Sequence, residues 1–166
     1  MFTEAMKDLA WWGNLLSPGK AIERRFMPVD QRIIAMWTDA SGLNGLGGYF
    51  IAEQSRSTKD IRPTEAFMLA VPRQIQRMQE HINTKEMRAV EQGLLRWAPP
   101  WRGSTVSLYI DNQAVIHGIK NQSMRGRTMG ALRRCLLRVS RNDLELNPCW
   151  IPTQDNLSTD TFSRFN

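Results

Sequence analysis

Met36-Trp37-Thr38-Asp39-Ala40-Ser41, followed by Gly42-Leu43-Asn44-Gly45-Leu46-Gly47-Gly48-Tyr49-Phe50, decides how this 166-residue chain reads. An apolar run from Ile33 to Trp37 drives straight into a carboxylate. Two small residues follow, then a glycine-rich turn, then a second apolar run. The pattern predicts a buried strand over 33–39, a turn, and an antiparallel partner over 47–53. Asp39 stands where the buried strand ends. A carboxylate there needs a structural hydrogen bond or a cation.

Working outward, residues 4–16 carry Met6, Leu9, Ala10, Trp12 and Leu16 at roughly helical spacing, and Ser17-Pro18-Gly19 ends the run. Residues 1–28 read as an N-terminal helical appendage to a domain of 29–166. Trp11 and Trp12 are expected to pack on the main domain or on a missing neighbour, with core packing the role expected of both. Downstream, 54–63 is polar and reads as a loop. A third strand is expected over 67–71, closed by Pro72, and 74–80 is either loop or a short helical turn. Residues 84–98 predict a helix with Thr84 as N-cap and Pro99-Pro100 as the stop. Met87, Val90, Leu94 and Trp97 form its core stripe. Gly93 in mid-helix costs about 1 kcal/mol relative to Ala, which close packing against the sheet would offset. A strand over 105–111, helices over 112–121 and 128–141, and a strand over 144–151 follow. The second of these helices places Met129, Leu132, Leu136 and Val139 inward. Asn156 is expected to cap a short final helix through 165. Strand and helix alternation of this kind gives an α/β fold, a mixed five-stranded sheet flanked by helices.

Hydrophobic residues make up 42% of the chain, enough for a core. No apolar run approaches the ~18 residues of a transmembrane helix, and no signal peptide is expected at the N-terminus. Cys135 and Cys149 form no metal-ligand pattern and read as core or free thiols of a reducing, intracellular compartment. The net charge is +6, carried by 17 Arg against 5 Lys. Arg favours planar contacts to phosphate. From Asn112 to Asn142 there is no acidic residue but seven basic ones: Lys120, Arg125, Arg127, Arg133, Arg134, Arg138 and Arg141. Such a block is either a solvated helix face or a surface for a polyanion such as nucleic acid.

Four carboxylates stand at comparable places: Asp39 ending the first strand, Glu86 opening a core helix, Asp111 ending a central strand, and Asp160 in the first turns of the last helix. Each alone is weak, since an Asp after a strand is more often a cap and a Glu at a helix start a dipole partner. Their joint pattern is stronger. Asp39 and Asp111 would meet if their strands are parallel neighbours, because ligands of open α/β sheets gather beyond the strands' carboxyl ends. Crowded carboxylates repel, and Mg²⁺, an oxygen-seeking ion, relieves this. Two such ions can activate a water and stabilise a leaving oxygen in phosphodiester cleavage.

Thr38-Asp39-Ala40-Ser41 resembles the first active-site strand of the ribonuclease H domain of retroelement reverse transcriptases. His81-Ile82-Asn83-Thr84-Lys85-Glu86 resembles its acidic helix, Tyr109-Ile110-Asp111-Asn112 its second acidic strand, and the segment from Trp150 to Arg164 its closing segment. The acids come in the order Asp, Glu, Asp, Asp with gaps of 47, 25 and 49 residues. The resemblance covers about 33–164. The His-Ile-Asn start and Ser-Arg ending look most like Ty3-type and DIRS-type retrotransposons. On that likeness, 1–28 would be the tail of a polymerase thumb or connection region, and the polymerase portion of the same polyprotein would be a partner.

The resemblance implies a ribonuclease H-like fold and endonucleolytic cleavage of the RNA strand of an RNA–DNA hybrid with two Mg²⁺ or Mn²⁺ ions. Asp39 would bridge both metals, Glu86 and Asp111 would bind one, and Asp160 the other. Asn83 and Asn112 would lie near the minor groove, where RNA presents 2′-hydroxyls. Lys120, Arg125 and Arg127 would hold phosphates of the DNA strand. The small Ala40 and Ser41 would let the backbone and its metals approach.

The chain departs from many relatives in having no His in the short loop Thr153-Gln154-Asp155-Asn156 before the fourth acid. Its two histidines, His81 and His117, read as structural. Two rival readings remain: a catalytically silent nucleic-acid-binding or scaffold domain of the same fold, and another nuclease of that fold such as an integrase or resolvase. Integrases place the Glu last, which the early Glu86 opposes.

Overall fold

The computed structural model describes residues 2–17, 32–41, 45–52, 64–71, 80–156 and 163–164. Among them lie helix α1 (Phe2–Leu15), strands β1 (Ile33–Ala40), β2 (Gly45–Ala52) and β3 (Glu65–Ala70), and helix α2 (Ile82–Trp97). Strand β4 (Thr105–Ile110), helices α3 (Gln113–Lys120) and α4 (Arg127–Arg141), and strand β5 (Glu145–Trp150) follow. The five strands form one sheet in the order β3-β2-β1-β4-β5. β2 runs antiparallel to β1, and β3 antiparallel to β2. β4 lies parallel to β1, and β5 parallel to β4. Each parallel step is made through helices, as parallel pairing requires. The mixed five-stranded sheet flanked by helices is therefore as the sequence predicts.

Period-2 alternation in β1 sends Ile34 and Met36 to the helical side, where both are essentially inaccessible. They share one core with Leu108 and Ile110 of β4, Met87, Val90 and Leu94 of α2, and Leu132 of α4. Gly93 serves close packing, as expected: a Cβ there would sit 2.8 Å from Met36 Sδ. Gly48 is tighter still, because a Cβ would meet the Phe67 ring at 2.6 Å and Trp37 O at 3.0 Å. That ring packs against Trp97 and under the Arg96 guanidinium. Gly48→Ala is accordingly expected to cost about 1–3 kcal/mol of stability through overpacking. Urea unfolding would measure it, and an unchanged midpoint would mean that the Phe67 ring yields freely.

Three local expectations change. α2 starts at Ile82, because the His81 backbone is extended and its Nδ1 accepts the Asn83 N–H at 3.2 Å. Thr84 is thus not the cap; it is buried, and its hydroxyl bonds that of Thr128 on α4 at 2.7 Å. Trp11 packs but Trp12 does not. Trp11 is half-buried and donates Nε1–H to Arg133 O at 2.7 Å, while Trp12, about 100° around the helix, is 52% exposed. The inward stripe of α4 is led by Ala131, Leu132 and Cys135, with Met129, Leu136 and Val139 only partly covered. Expectations for 54–63, for all of 74–80 but its last residue, and for most of the 156–165 helix lie outside the described residues. No described helix is long and apolar enough to cross a membrane.

Candidate active site

β1 and β4 pair in parallel with Trp37 opposite Tyr109. Asp39 and Asp111 each lie two residues beyond that pair, so the register alone brings them to the same edge of the sheet. α2 crosses the sheet from the helical side and presents Glu86 from its first turns. The result is a cluster: Asp39, Glu86 and Asp111 offer carboxylate oxygens that all lie within 4.8 Å of one another. Asp39 and Glu86 are 6% and 3% exposed, and Asp111 is half-buried. Asp160 lies outside the described residues.

One oxygen of each carboxylate is held by a neutral donor. The Ser163 hydroxyl donates to Asp39 Oδ2 at 2.6 Å, the Ala40 N–H to Glu86 Oε1 at 3.3 Å, and the Thr153 hydroxyl to Asp111 Oδ2 at 2.9 Å. The Trp150 indole N–H also donates to the Asp111 carbonyl at 3.1 Å. Glu86 Oε2 is buried and has no hydrogen-bond partner among the described residues. Burial, and then the charges of Asp39 and Asp111, push the Glu86 carboxyl well above the ordinary carboxylate range, with the Ala40 N–H pulling weakly the other way. A buried, unbonded carboxylate oxygen facing two further carboxylates is costly without a cation. Oxygen-only ligands of this charge fit a hard divalent ion such as Mg²⁺ or Mn²⁺. The pocket over the cluster, about 320 Å³, is lined also by Ala40, Ser41, Ile82, Asn112, Thr153 and Arg164.

Beside it runs a larger groove of about 750 Å³ between α2, α3 and the start of α4, with Asn83, His117, Arg125 and Arg127 on its walls. Asn112 lines the pocket and Asn83 the groove, and Asn112 Nδ2 donates to Asn83 Oδ1 at 2.9 Å, joining the two. Asn112 Oδ1 meanwhile caps α3 through the Val115 N–H. The Ser41 hydroxyl accepts the Gly45 N–H at 2.8 Å, tying the end of β1 to the start of β2. His81 is structural, as expected, through its cap; His117 is exposed and faces the groove.

The basic block divides in two. Arg133 pairs with Glu4 and Asp8 of α1, Arg134 grips Glu91 of α2 with two bonds, Arg138 lies 3.8 Å from Glu91, and Arg141 donates to Asn14 O. These four serve internal packing. Lys120, Arg125 and Arg127 are exposed and make no ion pair among the described residues. The block read as uniform in sequence because its acidic partners come from other elements.

Sequence reasoning missed Ser163, Thr153 and the Ala40 N–H as holders of the carboxylates. Ser163 and Asp39 are 124 residues apart, and no local rule pairs them. The one available signal was small hydroxyl residues adjoining the acids in the closing segment.

No protein-family model and no curated protein sequence matches the chain. Solved structures do. The N-terminal ribonuclease H domain of a Mycobacterium tuberculosis protein, determined as a maltose-binding-protein fusion, aligns with a TM-score of 0.61 at 14% identity, covering 80% of this chain and 91% of that one. Ribonuclease H1 of the halophilic archaeon Halobacterium salinarum aligns at 0.59 and 14%, covering 78% and 93%. A foamy viral protease–reverse transcriptase, solved with an RNA/DNA hybrid, aligns at 0.52 and 10%, covering 87% of this chain and 22% of that one. These likenesses establish the fold: the chain has a ribonuclease H-like fold.

Proposed function

We propose that this chain is a divalent-metal-dependent endonuclease that hydrolyses the RNA strand of RNA–DNA hybrids, as the ribonuclease H domain of a retrotransposon reverse transcriptase. The observation that carries the reading is the buried cluster of Asp39, Glu86 and Asp111 with its orphaned Glu86 oxygen, set at the strand ends beside a basic groove. The fold shared with ribonuclease H domains supports it.

In this reading Asp39, Glu86 and Asp111, with Asp160, hold two Mg²⁺ or Mn²⁺ ions. When bound, such ions activate a water and stabilise the leaving oxygen of the phosphodiester. The chain's own residues supply the rest. The linked amides of Asn83 and Asn112 present hydrogen-bonding groups where 2′-hydroxyls of the RNA strand would pass. Arg125 and Arg127 on the groove wall, with Lys120 at the end of α3, take the phosphates of the DNA strand. Ala40 and Ser41 keep the pocket rim low. The polymerase portion of the same polyprotein is the expected partner, with 1–28 as its connecting tail.

The test is incubation of the protein with labelled RNA–DNA hybrid, RNA duplex and DNA duplex in Mg²⁺ or Mn²⁺. Cleavage confined to the RNA of the hybrid is expected. A hybrid that survives every metal condition would leave a silent binding domain, and preferential cutting of branched DNA would point to a resolvase.

A further inference from the structure

We propose that Ser163 is a positioning residue of the metal centre: its hydroxyl donates to Asp39 Oδ2 at 2.6 Å and aims that carboxylate at Glu86 and Asp111. The inference rests on the metal-binding reading above and extends it to a residue outside the four acids.

Ser163 is fully buried, and Asp39 nearly so. A distance of 2.6 Å belongs to the short, charge-assisted class of O–H···O⁻ bonds. Its geometry decides where the carboxylate points. Asp39 lies beside two like charges, and repulsion favours rotamers that swing it away from them. The Ser163 bond opposes that swing by holding one oxygen. The same device recurs at the neighbouring acids, where the Ala40 N–H holds Glu86 Oε1 and the Thr153 hydroxyl holds Asp111 Oδ2. All three donors are neutral. A neutral donor orients a carboxylate without cancelling the charge that attracts a cation, whereas a cationic donor would do both. Of the two side-chain donors, Thr153 is exposed and Ser163 is sealed from water, so water can replace the first hydroxyl and not the second. Of the two hydroxyl bonds, that of Ser163 is therefore the one that water cannot replace.

The experiment is calorimetric titration of the protein with Mn²⁺, comparing wild type, Ser163→Ala and Ser163→Thr, alongside the Mg²⁺ dependence of hybrid cleavage. Ser163→Ala is expected to weaken Mn²⁺ binding about tenfold or more, in line with other residues that orient metal ligands. The Mg²⁺ concentration for half-maximal cleavage should rise by the same factor. Ser163→Thr keeps the hydroxyl and should restore most of the affinity, which a packing role alone would not produce. Wild-type affinity in Ser163→Ala, with the wild-type protein binding Mn²⁺, overturns the positioning role and leaves the metal site standing. Absence of Mn²⁺ uptake by the wild type at millimolar concentration overturns the metal reading and this inference together. Should Ser163→Ala not fold, Ser163→Cys fills similar space with a weaker donor. Intermediate affinity is then expected, and wild-type affinity overturns the proposal.

Discussion

Asp39→Asn is expected to lower cleavage of an RNA–DNA hybrid on the order of 10³-fold or more while leaving the fold intact. The argument starts from position. Asp39 is the penultimate residue of β1, is 6% exposed, and belongs to a carboxylate cluster whose oxygens fall within 4.8 Å of one another. Asn has the same size and can still accept the Ser163 hydroxyl bond through its remaining oxygen. What it removes is one negative charge from the set that would hold the cations. Metal ions contribute several kcal/mol to stabilising charge in such reactions, and ~4 kcal/mol corresponds to roughly a thousandfold in rate. Stability should stay within about 1 kcal/mol of wild type, because the lost bond strength is offset by relief of repulsion against Glu86. Single-turnover cleavage and urea unfolding on the same preparation separate the two effects. Undiminished cleavage would mean that Asp39 is not a metal ligand.

The parts of this molecule that were legible in its sequence are those set by short periods. β1 was readable because Ile33 to Trp37 is apolar and runs toward a carboxylate, and strand–helix alternation implies parallel pairing; the neighbour and register that bring Asp39 and Asp111 together come only with the sheet. The stripe of α2 and the purpose of Gly93 were readable because both depend only on helical spacing and on the absence of a side chain. The illegible parts depend on partners far along the chain. Arg133 reads as a free cation until α1 brings Glu4 and Asp8 to it. Trp11 and Trp12 are adjacent and chemically alike, and only the docking of α1 on α4 separates a half-buried indole from an exposed one. Thr84 looks like a cap because Ser and Thr usually cap, yet His81 performs that role and frees Thr84 to bridge two helices. The acid cluster sits between these cases. Its members were visible by position, but the donors that hold them were not.

Glu86→Gln should move activity and stability in opposite directions. In metal-free buffer at neutral pH or above, the wild-type Glu86 carboxyl is buried beside Asp39 and Asp111 with one oxygen unbonded. Gln keeps the size and the acceptor for the Ala40 N–H while removing a like charge. The variant is expected to gain on the order of 0.5–2 kcal/mol, the usual yield of relieving a strained functional site, or about 2–4 °C per kcal/mol for a chain of this length. The pH dependence carries the sign. Burial, then Asp39 and Asp111, raise the folded-state pKa of Glu86 well above the ordinary carboxylate range. Below the unfolded value both states hold the proton and the full stability is present. As pH climbs toward the raised folded value, the unfolded chain has released its proton and the folded chain still keeps one, so stability falls. That falling segment should be present in the wild type without divalent ions and absent in Glu86→Gln. Saturating Mg²⁺ should reverse the order. An ion at a hundred times its Kd adds ~2.7 kcal/mol to a native state that alone binds it, and the wild type should recover more of this than the variant. Hybrid cleavage by the variant should fall by a factor comparable to Asp39→Asn. Thermal unfolding in EDTA and in Mg²⁺, at pH 5 and pH 8, reads every part. A variant less stable than wild type in EDTA at pH 8 would show that the three carboxylates do not repel as their spacing demands, and the cation would lose its physical reason for being there.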